Sequence, residues 1–193
     1  IEPRKNLTLV LDALQRFPEL AERYRFVFMG RFGWGKSLDQ VLAEYPGVGA
    51  LHAKGRLVFT GYVDEPAKYA LLRNARFLLF PSLFEGFGLP VLEALKLGTP
   101  VVCSYSSSIP EVAGDSGFYF DPFSVDGLRD AVDRFEEAMV LDPWAVARRV
   151  EEQAARSTGI FGIAAVTALA VAREGAETVM FLYGLGLGSC GTS

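Results

Sequence analysis

Two carboxylates and the loop between them are the residues of this sequence best placed to do chemistry. Glu85 and Glu93 stand with seven residues between them, bridged by Gly86-Phe87-Gly88-Leu89-Pro90-Val91-Leu92. The glycine-bearing loop leaves backbone N–H groups uncovered, and Leu89-Pro90 opens a helix, with Pro90 suited to its first turn. Amides left without partners at a helix N-terminus bind anions. Glu85 lies in the loop and Glu93 near the first turn of the helix, so both can face one crevice. A carboxylate set among apolar residues, as Glu85 is, needs a partner. Glu93 alone is a helix carboxylate favoured by the dipole, and Lys5 alone is a solvated charge at a helix start. An acid-and-nucleophile pair for glycoside hydrolysis fits poorly, because Glu93 lies within a helix and no second sugar-cleft signature accompanies it.

Such a loop requires a strand that empties into a helix. Residues 77–80 form an apolar run that reads as a buried strand, broken by Pro81 and Ser82. Further strands are expected at 26–29, 57–60, 101–103 and 117–120. Helices are expected at 7–17, 37–44, 66–74, 89–97, 109–113, 125–141 and 144–155, with Asn6 and Ser37 as N-caps for the first two. Strands alternating with helices at this spacing predict an α/β fold with a doubly wound, mostly parallel sheet. Ligands of such sheets bind outside the carboxyl ends of the strands. There lie Gly30-Arg31, Gly61-Tyr62-Val63, the 82–89 loop and residues 103–108; the serines of the last suit a plain loop or the acceptor or sugar side of a cleft.

A chain of 193 residues can bury the core of one domain, or of one domain with an appendage. The net charge of −4 argues against a nucleic-acid-binding surface. Cys103 and Cys190 give neither metal-ligand spacing nor a disulfide framework, and Cys103 reads as a buried strand-end thiol. His52 sits in a polar connection and reads as solvated, while Arg31 and Arg73 read as surface charges. The start at Ile1, without a signal-like stretch, is that expected of a fragment.

Five stretches in order carry a family resemblance: Glu2-Pro3-Arg4-Lys5-Asn6, Gly61-Tyr62-Val63, residues 81–94, Gly98-Thr99-Pro100-Val101-Val102 and Ile109-Pro110-Glu111-Val112-Ala113-Gly114. With these, residues 1–157 resemble the C-terminal, nucleotide-sugar-binding half of family 4 retaining glycosyltransferases of the GT-B architecture. The loop from Gly30 to Gly35 is most similar to that of mannosyltransferases of bacterial polysaccharide assembly. The resemblance implies a Rossmann-like domain and metal-independent, retaining transfer of a hexosyl group, mannosyl in that subgroup. The donor would be a GDP- or UDP-linked sugar, with no cofactor, and the acceptor a glycan or lipid-linked glycan. It further implies a second, N-terminal GT-B domain as partner, a cytoplasmic setting at the inner face of the membrane, and little turnover by this half alone. GT-B epimerases and phosphorylases, which act on related donors, stand as the alternative. By the same resemblance Lys5 matches a phosphate-binding lysine, and a second, arginine ligand would lie upstream of Ile1. Glu85 matches the carboxylate beside the donor sugar and Glu93 the acceptor of ribose hydroxyls. The amides of Phe87, Gly88 and Leu89 would meet sugar and phosphates, the backbone of Val63 the base, and Lys68 the base edge.

From Thr158 the composition changes. Residues 159–172 and 178–187 are almost wholly apolar, separated by Arg173-Glu174-Gly175-Ala176-Glu177. The run is long enough to span a bilayer as a helix, and Glu174 and Glu177 would share a helix face able to hold a cation. Arg-Glu-Gly-x-Glu resembles a membrane helix of the oxidase-coupled iron permeases. The expectation is therefore a glycosyltransferase domain at 1–157, followed at 158–193 by an apolar helix of foreign origin. A native membrane anchor and an ordinary apolar helix packed on the domain are its alternatives.

Overall fold

The computed structural model describes residues 2–30, 37–168 and 179–183. A short 3-10 turn, Pro3–Lys5, leads into α1 (Leu7–Arg16), α2 (Glu19–Arg23) and β1 (Arg25–Met29). Then come α3 (Leu38–Glu44), α4 (Pro46–Ala53), β2 (Leu57–Gly61), α5 (Glu65–Asn74) and β3 (Phe77–Phe80). The second half holds α6 (Leu89–Lys96), β4 (Val101–Ser104), α7 (Ile109–Ala113) and β5 (Gly117–Phe120). It ends in α8 (Val125–Leu141), α9 (Pro143–Ala168) and β6 (Val179–Tyr183).

The strands form one sheet in the order β2-β1-β6-β3-β4-β5. β1 pairs with β2, β3 with β4 and β4 with β5, all parallel, as expected of a doubly wound sheet. Period-two alternation divides each central strand between two apolar layers. Phe26, Phe28, Phe77 and Leu79 face a core closed by α1, α4 and α8. Val27, Met29, Leu78 and Phe80 face a second core built on α6, α7 and the start of α9. β3 is buried at every residue, which is why it reads as a continuous apolar run rather than an alternating one.

The chain departs from the sequence expectations at several points. Residues 178–187 were expected to continue an apolar helix, yet Val179–Tyr183 is a strand. β6 runs antiparallel between β1 and β3, with Phe181 in register with Val27 on one side and Leu78 on the other. Its β-branched and aromatic composition suits a strand paired on both sides. α9 continues beyond the expected end at residue 155, to Ala168. Among the described residues no helix is long and apolar enough to cross a membrane. Glu174, Glu177, Cys190 and Arg31 lie outside the described residues. His52 belongs to α4 instead of a solvated connection; its ring Nδ1 pairs with the Leu57 carbonyl at 2.9 Å, and the ring meets Phe59 edge-on. Cys103 is fully buried, and burial raises its thiol pKa. Ser37 closes a capping box with Gln40, as its place before α3 suggests.

Candidate active site

The Pro3–Lys5 turn and the loop after β3 meet through one buried carboxylate. Glu85 is 5% exposed. Its Oε1 accepts from Lys5 Nζ at 2.8 Å and from the Ser82 hydroxyl at 2.5 Å, and its Oε2 accepts from Arg4 Nη1 at 2.8 Å. Lys5 is as buried as Glu85, and its ammonium lies 5.2 Å from the centre of the Phe80 ring. The partner that burial demands of Glu85 is thus threefold: two cations and a hydroxyl. Lys5 is no solvated helix-start charge. The backbone makes the same junction, with Leu83 N donating to Arg4 O at 2.7 Å.

Asn6 occupies the N-cap position of α1 but makes no side-chain cap. It takes the left-handed conformation (φ 54°, ψ 40°), which asparagine tolerates better than most residues. Its amide instead donates to Pro81 O at 3.2 Å and to Pro122 O at 2.7 Å, tying the loops after β3 and β5 to the turn that carries Lys5.

The serines at the end of β4 and in the loop after it form a scaffold for the Glu85 loop. Ser104 donates to Ser82 O, Ser106 to Leu83 O and Ser108 to Glu85 O, while Ser107 Oγ accepts from Glu85 N. Because β3 and β4 are parallel neighbours, their carboxyl-end loops lie side by side, and four hydroxyls reach four backbone groups. The run is therefore more than a plain loop: its hydroxyls hold the Glu85 loop, while Tyr105 and Ser107 remain exposed. Ser107 itself sits at φ 45°.

A second ion pair lies along the next helices. Lys68 of α5 donates to Glu93 Oε1 of α6 at 2.7 Å, and both side chains are about a quarter exposed. Burial pulls the Lys68 pKa down, but the hydrogen bond and charge of Glu93 outweigh it and hold the ammonium above its ordinary value. Glu93 begins the second turn of α6, not its first. Gly88 is the N-cap of that helix at φ 90° and offers no side chain to close it; within the first turn Pro90 has no N–H, and the amides of Val91 and Leu92 donate to Gly88 O at 3.0 and 3.3 Å. Val63 and Phe87 are half-buried against the second core, and Arg73 is exposed.

The sequence pairs Glu85 and Glu93 by proximity, whereas the structure gives each its own cation. It joins Lys5 to Glu85 and Lys68 to Glu93. Arg4, Glu2 and Ser82 were missed as members of this site, and the serines, though expected at the ligand edge, were not foreseen as supports of the Glu85 loop. The available signal was the doublet Arg4-Lys5, two adjacent cations in a motif whose resemblance assigns a role to one.

The chain as a whole is similar to known proteins. The profile of the family described as "Glycosyl transferases group 1" matches residues 1–156. The chain is similar to O-antigen chain mannosyltransferase B of Escherichia coli, 44% identical over 130 residues, covering 66% of this chain and 32% of that protein. It is similar also to the serotype-specific mannosyltransferase WbdA of Escherichia coli, 34% identical over 135 residues, covering 69% of this chain and 16% of that protein. The chain thus spans about a third or less of these relatives. Among solved structures, the sucrose-phosphate synthase of Thermosynechococcus elongatus superposes with a TM-score of 0.65 at 21% identity, over 89% of this chain and 42% of that one. Anabaena Alr3699/HepE, solved with UDP-glucose, gives 0.64 at 18% identity, over 90% and 47%. These likenesses establish the fold.

Proposed function

The chain belongs to the group 1 glycosyl transferases, and from that premise we propose that residues 1–157 are the donor-binding half of a retaining hexosyltransferase that takes a nucleoside diphosphate sugar. The mannosyltransferase relatives favour a mannosyl donor and a glycan acceptor. The observation that carries the reading is the buried Lys5–Glu85 pair, held at the carboxyl edge of the parallel strands close before the N-terminus of α6, which no side chain caps.

Transfer from a nucleotide sugar builds negative charge on the leaving diphosphate as the glycosidic bond breaks. Cations and amides that are already in place stabilise that charge better than water, because they need not reorganise. Lys5, fixed by Glu85, and the amides of Gly88 and Leu89 at the start of α6 are such groups. Glu85 stands next to the position for the sugar, and its carbonyl, amide and both carboxylate oxygens are each held, so its orientation is set before a donor arrives. Glu93 is the acceptor for ribose hydroxyls, with Lys68 fixing its carboxylate. The acceptor hydroxyl is presented by a second domain, so this half binds donor without turning it over.

Isothermal titration of the chain with GDP, UDP, GDP-mannose and UDP-glucose tests the reading. Micromolar binding of one nucleotide family, weakened at least tenfold by Glu93→Ala, is expected. A folded chain that binds none of the four refutes it.

A further inference from the structure

We propose that Arg4 is the cation that turns to the donor's diphosphate, and that Glu2 is the resident competitor holding it back. The inference rests on the donor-site reading above and names a residue which that reading leaves without a role.

Four charged groups form one chain of contacts. Glu2 Oε2 meets Arg4 Nε at 2.5 Å, Arg4 Nη1 meets Glu85 Oε2 at 2.8 Å, and Glu85 Oε1 meets Lys5 Nζ at 2.8 Å. Two carboxylates balance two cations, so the cluster offers an incoming diphosphate no net positive charge. One pair has to open for that charge to appear.

The two candidate openings differ in cost. Lys5 and Glu85 are each 5% exposed, and separating them strands a charge away from water. Arg4 and Glu2 are 38% and 33% exposed, and a pair that faces water holds weakly. Opening at Glu2 is therefore the easier step. Lys5 keeps Glu85 and contributes its remaining N–H groups, but its charge is already balanced.

The atoms used allow Arg4 to change partner on one side only. Glu2 occupies Nε and Glu85 occupies Nη1, so leaving Glu2 does not require leaving Glu85. The guanidinium stays anchored through Nη1, while its Nε and Nη2 edge becomes a planar fork that matches phosphate oxygens. The backbone stays put as well, since Arg4 O accepts from Leu83 N in the loop that leads to α6. A carboxylate at Glu2 thus stands in for the phosphate in the ligand-free chain.

Titration calorimetry of the chain with UDP and GDP, and with uridine and guanosine as phosphate-free controls, tests this across four forms: wild type, Glu2→Gln, Arg4→Gln and the double variant. Glu2→Gln is expected to tighten diphosphate binding about twofold to fivefold, the worth of a water-facing ion pair. Arg4→Gln is expected to weaken it about tenfold, the worth of a charged hydrogen bond. The double variant should bind as Arg4→Gln does, because Glu2 acts only through Arg4, and nucleoside binding should not change in any form. Diphosphate binding that ignores Glu2→Gln, or a gain that persists in the double variant, overturns the inference and leaves the donor-site reading standing. A folded wild-type chain that binds neither diphosphate overturns both.

Discussion

Glu85 accepts from a different group on each oxygen, and this decides how its removal reads out. Glu85→Ala leaves Lys5 buried beside Phe80 without its counter-charge, a situation that costs about 3 kcal/mol or more. Urea unfolding of that variant is expected to show the loss. Replacing both partners at once, Lys5→Met with Glu85→Leu, removes the stranded charge and should restore most of that stability. The same double variant should bind no nucleotide sugar in a titration, which separates the pair's part in ligand recognition from its part in folding. Glu85 was legible in the sequence because a carboxylate in a Phe/Gly-rich loop requires partners. Which partners it takes was not, since Arg4 and Lys5 lie 81 and 80 positions away and no local rule connects them.

Elements are joined at two points that respond to substitution in different ways. α6 starts from Gly88 at φ 90°, where a Cβ would come no closer than 3.9 Å to Ile109 Cγ1. Space is therefore ample and conformation is the obstacle. Gly88→Ala should cost about 1–2 kcal/mol through backbone strain, lower the thermal midpoint and blunt donor binding by shifting the first turn. On the opposite layer, Glu136 of α8 accepts from Tyr24 at 2.8 Å and from both Nε and Nη2 of Arg76, clasping α8 to the residues that precede β1 and β3. Burial pushes the Glu136 carboxyl up, but the hydrogen bonds from Arg76 and Tyr24 outweigh it and hold it below the ordinary range. A depressed carboxyl contributes stability that is present above its unfolded value and is lost as pH falls through the folded one. Acid unfolding followed by circular dichroism should therefore be shallower for Glu136→Gln than for wild type below about pH 4, with the variant less stable near neutrality. α6, α8, β1 and β3 and their order could be read from apolar periodicity and turn residues, whereas the short α2 and α4 were not read. The serine scaffold and the unusual service of Asn6 could not, because both depend on β3, β4 and β5 lying side by side.

At the scale of the whole molecule, two apolar layers enclose a sheet whose parallel strands followed from strands and helices alternating in the sequence. Residues 179–183 departed from that reading. An apolar run of this composition satisfies a long helix and a buried strand equally well, and only the neighbours on offer decide between them. The position between β1 and β3 decided it for residues 179–183. Phe181→Pro should expose the result: it removes a backbone donor in the middle of a sheet. Hydrogen exchange is expected to lose protection at Val27, Phe28 and Leu78 together, with the β4–β5 pair less affected. The strand at the centre of the sheet is also the last among the described residues, about 150 residues after Met29, so its pairing closes a loop of very high contact order. During synthesis, β1 and β3 therefore wait with their inner edges bare until Tyr183 has cleared the ribosome. Bare edges recruit any strand at hand, and a neighbouring nascent chain carries the same one. Crowded translation should thus favour dimers in which two copies have traded residues 179–183.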